Sequence, residues 1–370
     1  MGERPPQKIH PPAGGILFLC LLFVLILNGC DPASVAAQQK QSPQAQQEQV
    51  RQEEAPQEQA PESRLRFALI PENPRPGEPV TIALADGGID GSEAGDIRAV
   101  LVTAQGRLSR TGFFDFPVGE GEPAFKAAVL PVPSTARPGP ASVRIESSSG
   151  GPDSAGGHEA GALLAELPLI IAEREFVSEE IELNQTNTDI RTVPDPQKTA
   201  ESELLWAILN RTGTDIYVRG PFSPPVTSTR RTSFFGDRRV YRYTTGKTDT
   251  SIHAGIDYGV PRGTPVTACA DGRVVLARFR IATGNSVIIE HLPGVYSLYY
   301  HMDNIGVSEG AMVETGAPLG QSGATGLATG PHLHWEIRVS GENTDPDALV
   351  GRPILDKDAI LTKMNQVSIF

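Results

Sequence analysis

The run Pro331-His332-Leu333-His334-Trp335-Glu336-Ile337-Arg338-Val339 decides how the C-terminal part of this chain folds. Side chains of a β-strand alternate between its two faces. Here Leu333, Trp335, Ile337 and Val339 are apolar, while His332, His334, Glu336 and Arg338 are polar. The spacing predicts a strand that buries one face and presents two imidazoles on the other. The same test applied around Tyr299-Tyr300-His301 gives a core face of Tyr296, Leu298, Tyr300 and Met302. Ser297, Tyr299 and His301 are then expected to point away. His253 and Asp257, in His-Ala-Gly-Ile-Asp, share parity if that stretch is extended.

Imidazole nitrogen and carboxylate oxygen are ligands that zinc accepts, and a catalytic zinc takes three of them and keeps one position for water. His253, Asp257, His301, His332 and His334 can supply three ligands and still leave two imidazoles for proton chemistry. The chain has seven histidines, so four of them in this arrangement point to a divalent metal site. Each piece alone is weak. A single histidine is more often a satisfied surface or core imidazole, and His-x-x-x-Asp recurs by chance. His291 ends a strand and is given no role. His158 falls in a Gly/Ser-rich stretch and His10 near the N-terminus. Cys269 sits among strand residues and reads as a small buried hydrophobe.

Outward from the histidines, the chain is a series of short strands broken by glycine. Asp271-Gly272 opens a strand over Arg273 to Ala277. Ser286 to His291 and Val295 to His301 form a hairpin across Leu292-Pro293-Gly294. A loop carrying Gly316, Gly320, Gly323, Gly326 and Gly330 leads into the His-x-His strand. Upstream, Phe176 to Leu183 reads as a strand. Asp195-Pro196 is an N-cap followed by a first helical position, opening a helix to about Leu209 with one apolar face of Ala200, Leu204 and Ile208. Residues from about 65 to 172 predict a β-sandwich. Its strands are Val80 to Leu84, Ala99 to Val102, Phe125 to Val132, Val143 to Ile145 and Leu163 to Ile171. Ser147 to Gly161 is read as a mobile loop.

Arg4 and Lys8 precede an apolar run from Gly15 to Leu27, too short to cross a bilayer comfortably and suited to a signal peptide. Leu27-Asn28-Gly29-Cys30 resembles a bacterial lipobox, although Asn28 departs from the usual small or β-branched residue. Cys30 would then carry lipid, and the rest of the chain would lie outside the cytoplasm. With Cys20 in the signal, Cys269 is left alone and no disulfide framework is possible. Residues 31 to about 63 are rich in Gln, Pro, Ala and Glu and read as a disordered tether. Such a tether has an end-to-end distance of roughly 30 Å. The net charge of -12 argues against a nucleic-acid partner, which needs a basic face.

From about Phe222 to Arg352, over a third of the chain, the sequence resembles the lysostaphin/LytM-type zinc metallopeptidases that cut peptide bonds in peptidoglycan. The matching runs include HAGIDYGVPRGTPV, ADGRVV, GNSVIIEH, LYYHM, VETGAPLGQSGATG and TGPHLHWE. The resemblance implies one zinc ion per chain held by His253, Asp257 and His334, with His301 and His332 as the catalytic pair. It also implies an Ig-like domain for the upstream sandwich. Some members carry a tyrosine shortly before the first ligand; here Tyr241 and Tyr243 lie further back.

The expected fold is therefore mostly β: an N-terminal Ig-like β-sandwich followed by an antiparallel-sheet metallopeptidase domain with a metal cleft. The expected order is signal peptide (1–29), lipidated Cys30 and tether (30–63), Ig-like sandwich (64–173), strand-helix connector (174–220), zinc peptidase domain (221–352) and C-terminal tail (353–370). The expected function is that of a cell-wall zinc endopeptidase. It would act on peptidoglycan peptides, be anchored in a membrane through lipid on Cys30, and face the periplasm or cell exterior. The alternative is a non-catalytic wall-associated lipoprotein that activates or scaffolds other wall hydrolases, with the sandwich binding a protein partner.

Overall fold

The computed structural model describes residues 66–85, 97–117, 125–147, 161–211, 213–218 and 220–366. The expected signal, the lipid-bearing Cys30, the tether and residues 148–160 of the expected mobile loop lie outside these residues. No helix among the described residues is long and apolar enough to cross a membrane.

Eight strands form the first part: β1 (Phe67–Ile70), β2 (Pro79–Ala85), β3 (Ile97–Thr103), β4 (Gly106–Gly112), β5 (Phe114–Phe116), β6 (Phe125–Pro131), β7 (Gly139–Ser147) and β8 (Leu163–Ile171). They make two four-stranded antiparallel sheets, ordered β1-β2-β6-β5 and β4-β3-β7-β8. Val80, Ile82 and Leu84 pack with Leu101, Val143, Ile145 and Leu169 in one buried cluster shared by both sheets. The other face of the first sheet is buried as well. Ala68, Ala83, Ala127 and Val129 belong to the apolar core of the C-terminal part. Val80, Ile82 and Leu84 alternate along β2 as the sequence predicts, yet Thr81 and Ala83 between them are buried too: small residues let a second layer approach the far face. Asp345 N–H also donates to the Gly77 carbonyl (2.8 Å), and Arg174 bonds Asp345 (2.6 Å).

The connector holds β9 (Ser178–Glu182), α1 (Gln185–Thr192) and α2 (Pro196–Leu209). The Asp195 side chain caps α2 by accepting from Gln197 N–H at 2.7 Å. The expected apolar face of α2 is not buried along its length. Ala200 and Leu204 are exposed, and only Ile208 and Leu209 are buried. The helix is pinned at its C-terminal end, so a stripe of three residues overstates its contact. Helix α1 was not expected, because Gln-Thr-Asn-Thr-Asp-Ile-Arg-Thr has no apolar stripe. It forms behind an Asn184 cap that accepts from Asn187 N–H (2.9 Å), with the Asn187 amide donating to the Ala328 carbonyl (3.0 Å).

The C-terminal part contains β10 (Arg231–Ser233), β11 (Arg238–Arg242), β12 (Thr248–Ile252), β13 (Ile256–Tyr258), β14 (Pro265–Thr267), β15 (Gly272–Arg280), β16 (Gly284–Leu292), β17 (Val295–Ile305), β18 (Met312–Val313), β19 (Pro318–Ser322), β20 (Leu333–Val339) and β21 (Glu342–Thr344). The main sheet runs β10-β13-β20-β17-β16-β15-β18, with β19 on β17, β14 on β19 and β21 on β20. A separate small sheet, β12-β11-β9, includes the parallel pair β9 and β11. Leu333, Trp335, Ile337 and Val339 are fully buried in the core.

The expected faces of β17 are reversed. Tyr300 lies opposite His334 and Leu298 opposite Glu336, whereas Tyr299 pairs with Trp335 and Ser297 with Ile337. Tyr299 and Ser297 therefore face the core, where the Ser297 hydroxyl donates to the Tyr299 oxygen at 3.0 Å. Hydropathy could not separate the faces because both are covered: Tyr296, Leu298 and Tyr300 pack under Ile208 and Leu209. Simple alternation would now send His301 into the core. It escapes because its φ is +60° and the β16–β17 register shifts beside it. This bulge returns the imidazole to the face that carries His334.

A left-handed conformation costs a non-glycine residue about 1–2 kcal/mol. His301→Gly should therefore be more stable than His301→Ala by about 1 kcal/mol, read by chemical denaturation. A second expectation concerns His291, which is fully buried and bonded to the Asp271 carbonyl (2.7 Å) and Ser297 Oγ (2.7 Å). Burial pushes its imidazole down to about 4, against an ordinary value of about 6.5. The fold holds the neutral form, so this stability is present above about pH 6.5 and is lost as pH falls toward 4. The loss amounts to about 3 kcal/mol. His291→Gln should flatten that part of a denaturation-versus-pH curve.

Candidate metal centre

Asp257 on β13 lies directly opposite His334 on β20, so backbone pairing alone brings carboxylate and imidazole together. His253 follows β12 of the small sheet and arrives from a different layer, not along one extended strand with Asp257. Gly255 makes this possible. A Cβ there would fall 2.1 Å from the Trp335 carbonyl oxygen, so only glycine lets the chain cross β20 so closely. The three candidate ligands are all buried.

His253 Nε2 is 3.0 Å from His334 Nδ1 and 3.2 Å from Asp257 Oδ1, and His334 Nδ1 is 2.7 Å from Asp257 Oδ1. Ligands about 2.0–2.1 Å from a tetrahedral zinc lie roughly 3.3 Å apart. The three donor atoms are thus nearly at the spacing one ion requires, and they form a cluster able to hold a metal. The atoms that would not bind metal are each tied elsewhere. His253 Nδ1 bonds the Phe234 carbonyl (2.8 Å), His334 Nε2 bonds Glu336 Oε1 (2.9 Å), and Asp257 Oδ2 accepts from Arg239 Nη2 (2.7 Å). Such partners fix the tautomer and leave the lone pair aimed at the ion.

Electrostatics follow the same plan. Burial would raise the Asp257 carboxyl, but His334 and His253 hold it well below the usual carboxylate range. Burial likewise opposes ionisation of Glu336, yet Arg338 and His334 bring it down to about 2. Both carboxylates are charged at neutral pH. His334 is buried between them, and their attraction outweighs desolvation and pushes it up to about 9. A metal ion at Nδ1 would replace that proton.

The two remaining imidazoles stand beside this cluster. His301 and His332 have ring centres 4.7 Å apart, and His332 Nε2 is 3.8 Å from Asp257 Oδ1. His301 Nδ1 bonds the Thr325 carbonyl (2.8 Å) and His332 Nδ1 the Gly330 carbonyl (2.8 Å). In each case Nε2 is the free nitrogen. Burial, with the neighbouring His332 and His334, pushes His301 down to about 3, so it is a neutral proton acceptor. Thr325 is held in turn by Asn285 N–H donating to its Oγ1 (3.0 Å). All five sequence-predicted residues therefore meet in one cleft of about 590 Å³.

Sequence reasoning did not single out Arg239 as a partner of Asp257, or Glu336 as the partner of His334. Glu336 had a visible signal: it shares the polar face of its strand with His334. Arg239 had none, because β11 belongs to another sheet. Tyr241 lines the cleft under the Arg191 guanidinium, 4.1 Å from its ring centre. The Tyr243 hydroxyl bonds Arg191 and Asp249 instead.

Residues 251–346 match the model of Peptidase family M23. The chain is 41% identical over 122 residues to DD-carboxypeptidase/endopeptidase Mpg of Neisseria meningitidis, covering 33% of this chain and 27% of that protein. It is 41% identical over 112 residues to peptidoglycan DD-endopeptidase ShyA of Vibrio cholerae, covering 30% and 25%. The chain thus spans about a quarter of the length of these relatives. Among solved structures, a putative M23 peptidase from Pseudomonas aeruginosa aligns over 75% of this chain and 95% of its own, with 24% identity and a TM-score of 0.48. His253, Asp257, His301, His332 and His334 all fall within the residues that match the family model.

Proposed function

We propose that this chain is a cell-wall endopeptidase that hydrolyses peptide bonds of bacterial peptidoglycan, using one zinc ion held by His253, Asp257 and His334. The observation that carries this reading is the donor set: three donor atoms 2.7–3.2 Å apart, each with its second atom tied, next to two imidazoles with free Nε2 atoms. The named activities of Mpg and ShyA support the same substrate class. The chemistry supplied by a bound zinc is a lowered water pKa and a polarised scissile carbonyl. His301 and His332 would face the reacting atoms. They would accept the water's proton, pass it to the leaving amine and hydrogen-bond the developing oxyanion. Glu336 and Arg239 hold the ligands in orientation. Lipid on Cys30 would keep the enzyme at a membrane of the cell envelope. The eight-stranded sandwich is read as Ig-like and as the layer that supports the catalytic sheet.

The purified, zinc-loaded protein should release peptides from isolated peptidoglycan, read by mass analysis of the digest. No release under any metal loading would favour the activator or scaffold reading. Alanine at His253, Asp257 or His334 should strip the metal. Alanine at His301 or His332 should lower turnover by roughly 10²–10⁴ while metal content stays near one per chain. Glu336→Gln should weaken metal affinity by about 10–100-fold in a chelator competition, because it loosens the hold on His334 without removing a ligand.

A further inference from the structure

Three arginines line the cleft, and two of them are already committed. Arg239 pairs with Glu179 (2.6 Å) and Asp257 (2.7 Å), and Arg191 pairs with Asp249 (2.7 Å). The cleft carboxylates are equally committed: Glu179 and Asp257 to Arg239, and Glu336 to Arg338 (2.8 Å). Arg230 is different. It lines the same cleft and is exposed, and its guanidinium makes one hydrogen bond, from Nη1 to the Gly259 carbonyl at 3.0 Å. Among the described residues it has no acidic partner.

This guanidinium is held in place. Gly259 N–H donates to the Arg230 carbonyl at 3.1 Å, which continues the β10–β13 pairing beyond the strand end. A Cβ on Gly259 would lie 2.1 Å from Arg230 Nη1, so the glycine provides the space in which the side chain rests. Position follows from register. Ser233 pairs with Asp257, and Arg230 is three residues earlier on the same run. The register shift between Arg231 and Ser233 sets Arg230 against Gly259, two residues beyond Asp257 and so roughly 7 Å along β13 from that residue. A peptide lying extended through the cleft advances by a similar step, so Arg230 is about two or three residue lengths from the scissile bond.

We infer that Arg230 is a specificity residue that receives a free carboxylate of the peptide substrate, two or three residue lengths from the bond that is cut. The inference rests on the endopeptidase reading. A guanidinium presents a planar fork matched to a carboxylate. One Nη1–H bond to a carbonyl leaves its other donors open to a ligand. An amidated substrate keeps one accepting oxygen but loses the charge and turns an NH2 toward a group that has only donors.

The test uses pairs of cross-linked stem-peptide dimers that differ only in whether their free carboxylates are left or converted to amides. The zinc-loaded wild type should cleave the carboxylate form with about 10–100-fold higher kcat/KM, the range of one charge-assisted contact. The difference should lie mostly in KM. Arg230→Met should lose that preference while leaving kcat on the amide form within about twofold, and Arg230→Lys should restore part of it. Equal kcat/KM for both peptides in the wild type, or a preference that survives in Arg230→Met, overturns the inference and leaves the endopeptidase reading standing. Calorimetric binding of the same pairs to the His301→Ala protein gives a readout that needs no turnover. There, equal affinities overturn the inference, and tighter binding of the carboxylate form that Arg230→Met abolishes supports it even if no peptide is cleaved.

Discussion

The register between β13 and β20 is the constraint on which the candidate metal centre depends. It sets Asp257 against His334 across one ladder position, and every other contact of the site is arranged around that pair. A slip of one residue would turn His334 toward the core and bring Trp335 to the cleft. The fully buried Trp335, Leu333 and Ile337 resist such a slip, since it would expose all three together. Apolar burial on the back of the strand thereby fixes polar geometry on its front.

A second layer of bonds converts proximity into direction. Glu336, Arg239 and the Phe234 carbonyl each occupy the atom of a proposed ligand that would have to face away from an ion. Carbonyls of the glycine-rich loop do the same for His301 and His332. Through the nitrogen turned away from the cluster, His334 leans on a carboxylate, whereas His253, His301 and His332 lean on backbone carbonyls.

Much of this was legible in the sequence, and the gaps have physical causes. The faces of β20 followed from alternation because one side is core and the other is cleft. The faces of β17 did not, because α2 covers what would otherwise be a solvated side, so apolar residues occupy both. His301 kept its place on the site face only through a backbone turn at φ +60°, which no hydropathy pattern encodes. Helix α1 was missed because cap and side-chain hydrogen bonds hold it where an apolar stripe is lacking. Arg239 was missed because the parallel pairing of β9 with β11 joins segments far apart in the chain.

The sheet β1-β2-β6-β5 is clad on both sides, with Ala68, Ala83 and Ala127 turned toward the C-terminal half. Its alanines act as a mating surface as well as filler. The sandwich is therefore poorly suited to exchange between proteins as an interchangeable module. A replacement would have to bring the same low-relief face, or the C-terminal half would be left with an uncovered flank.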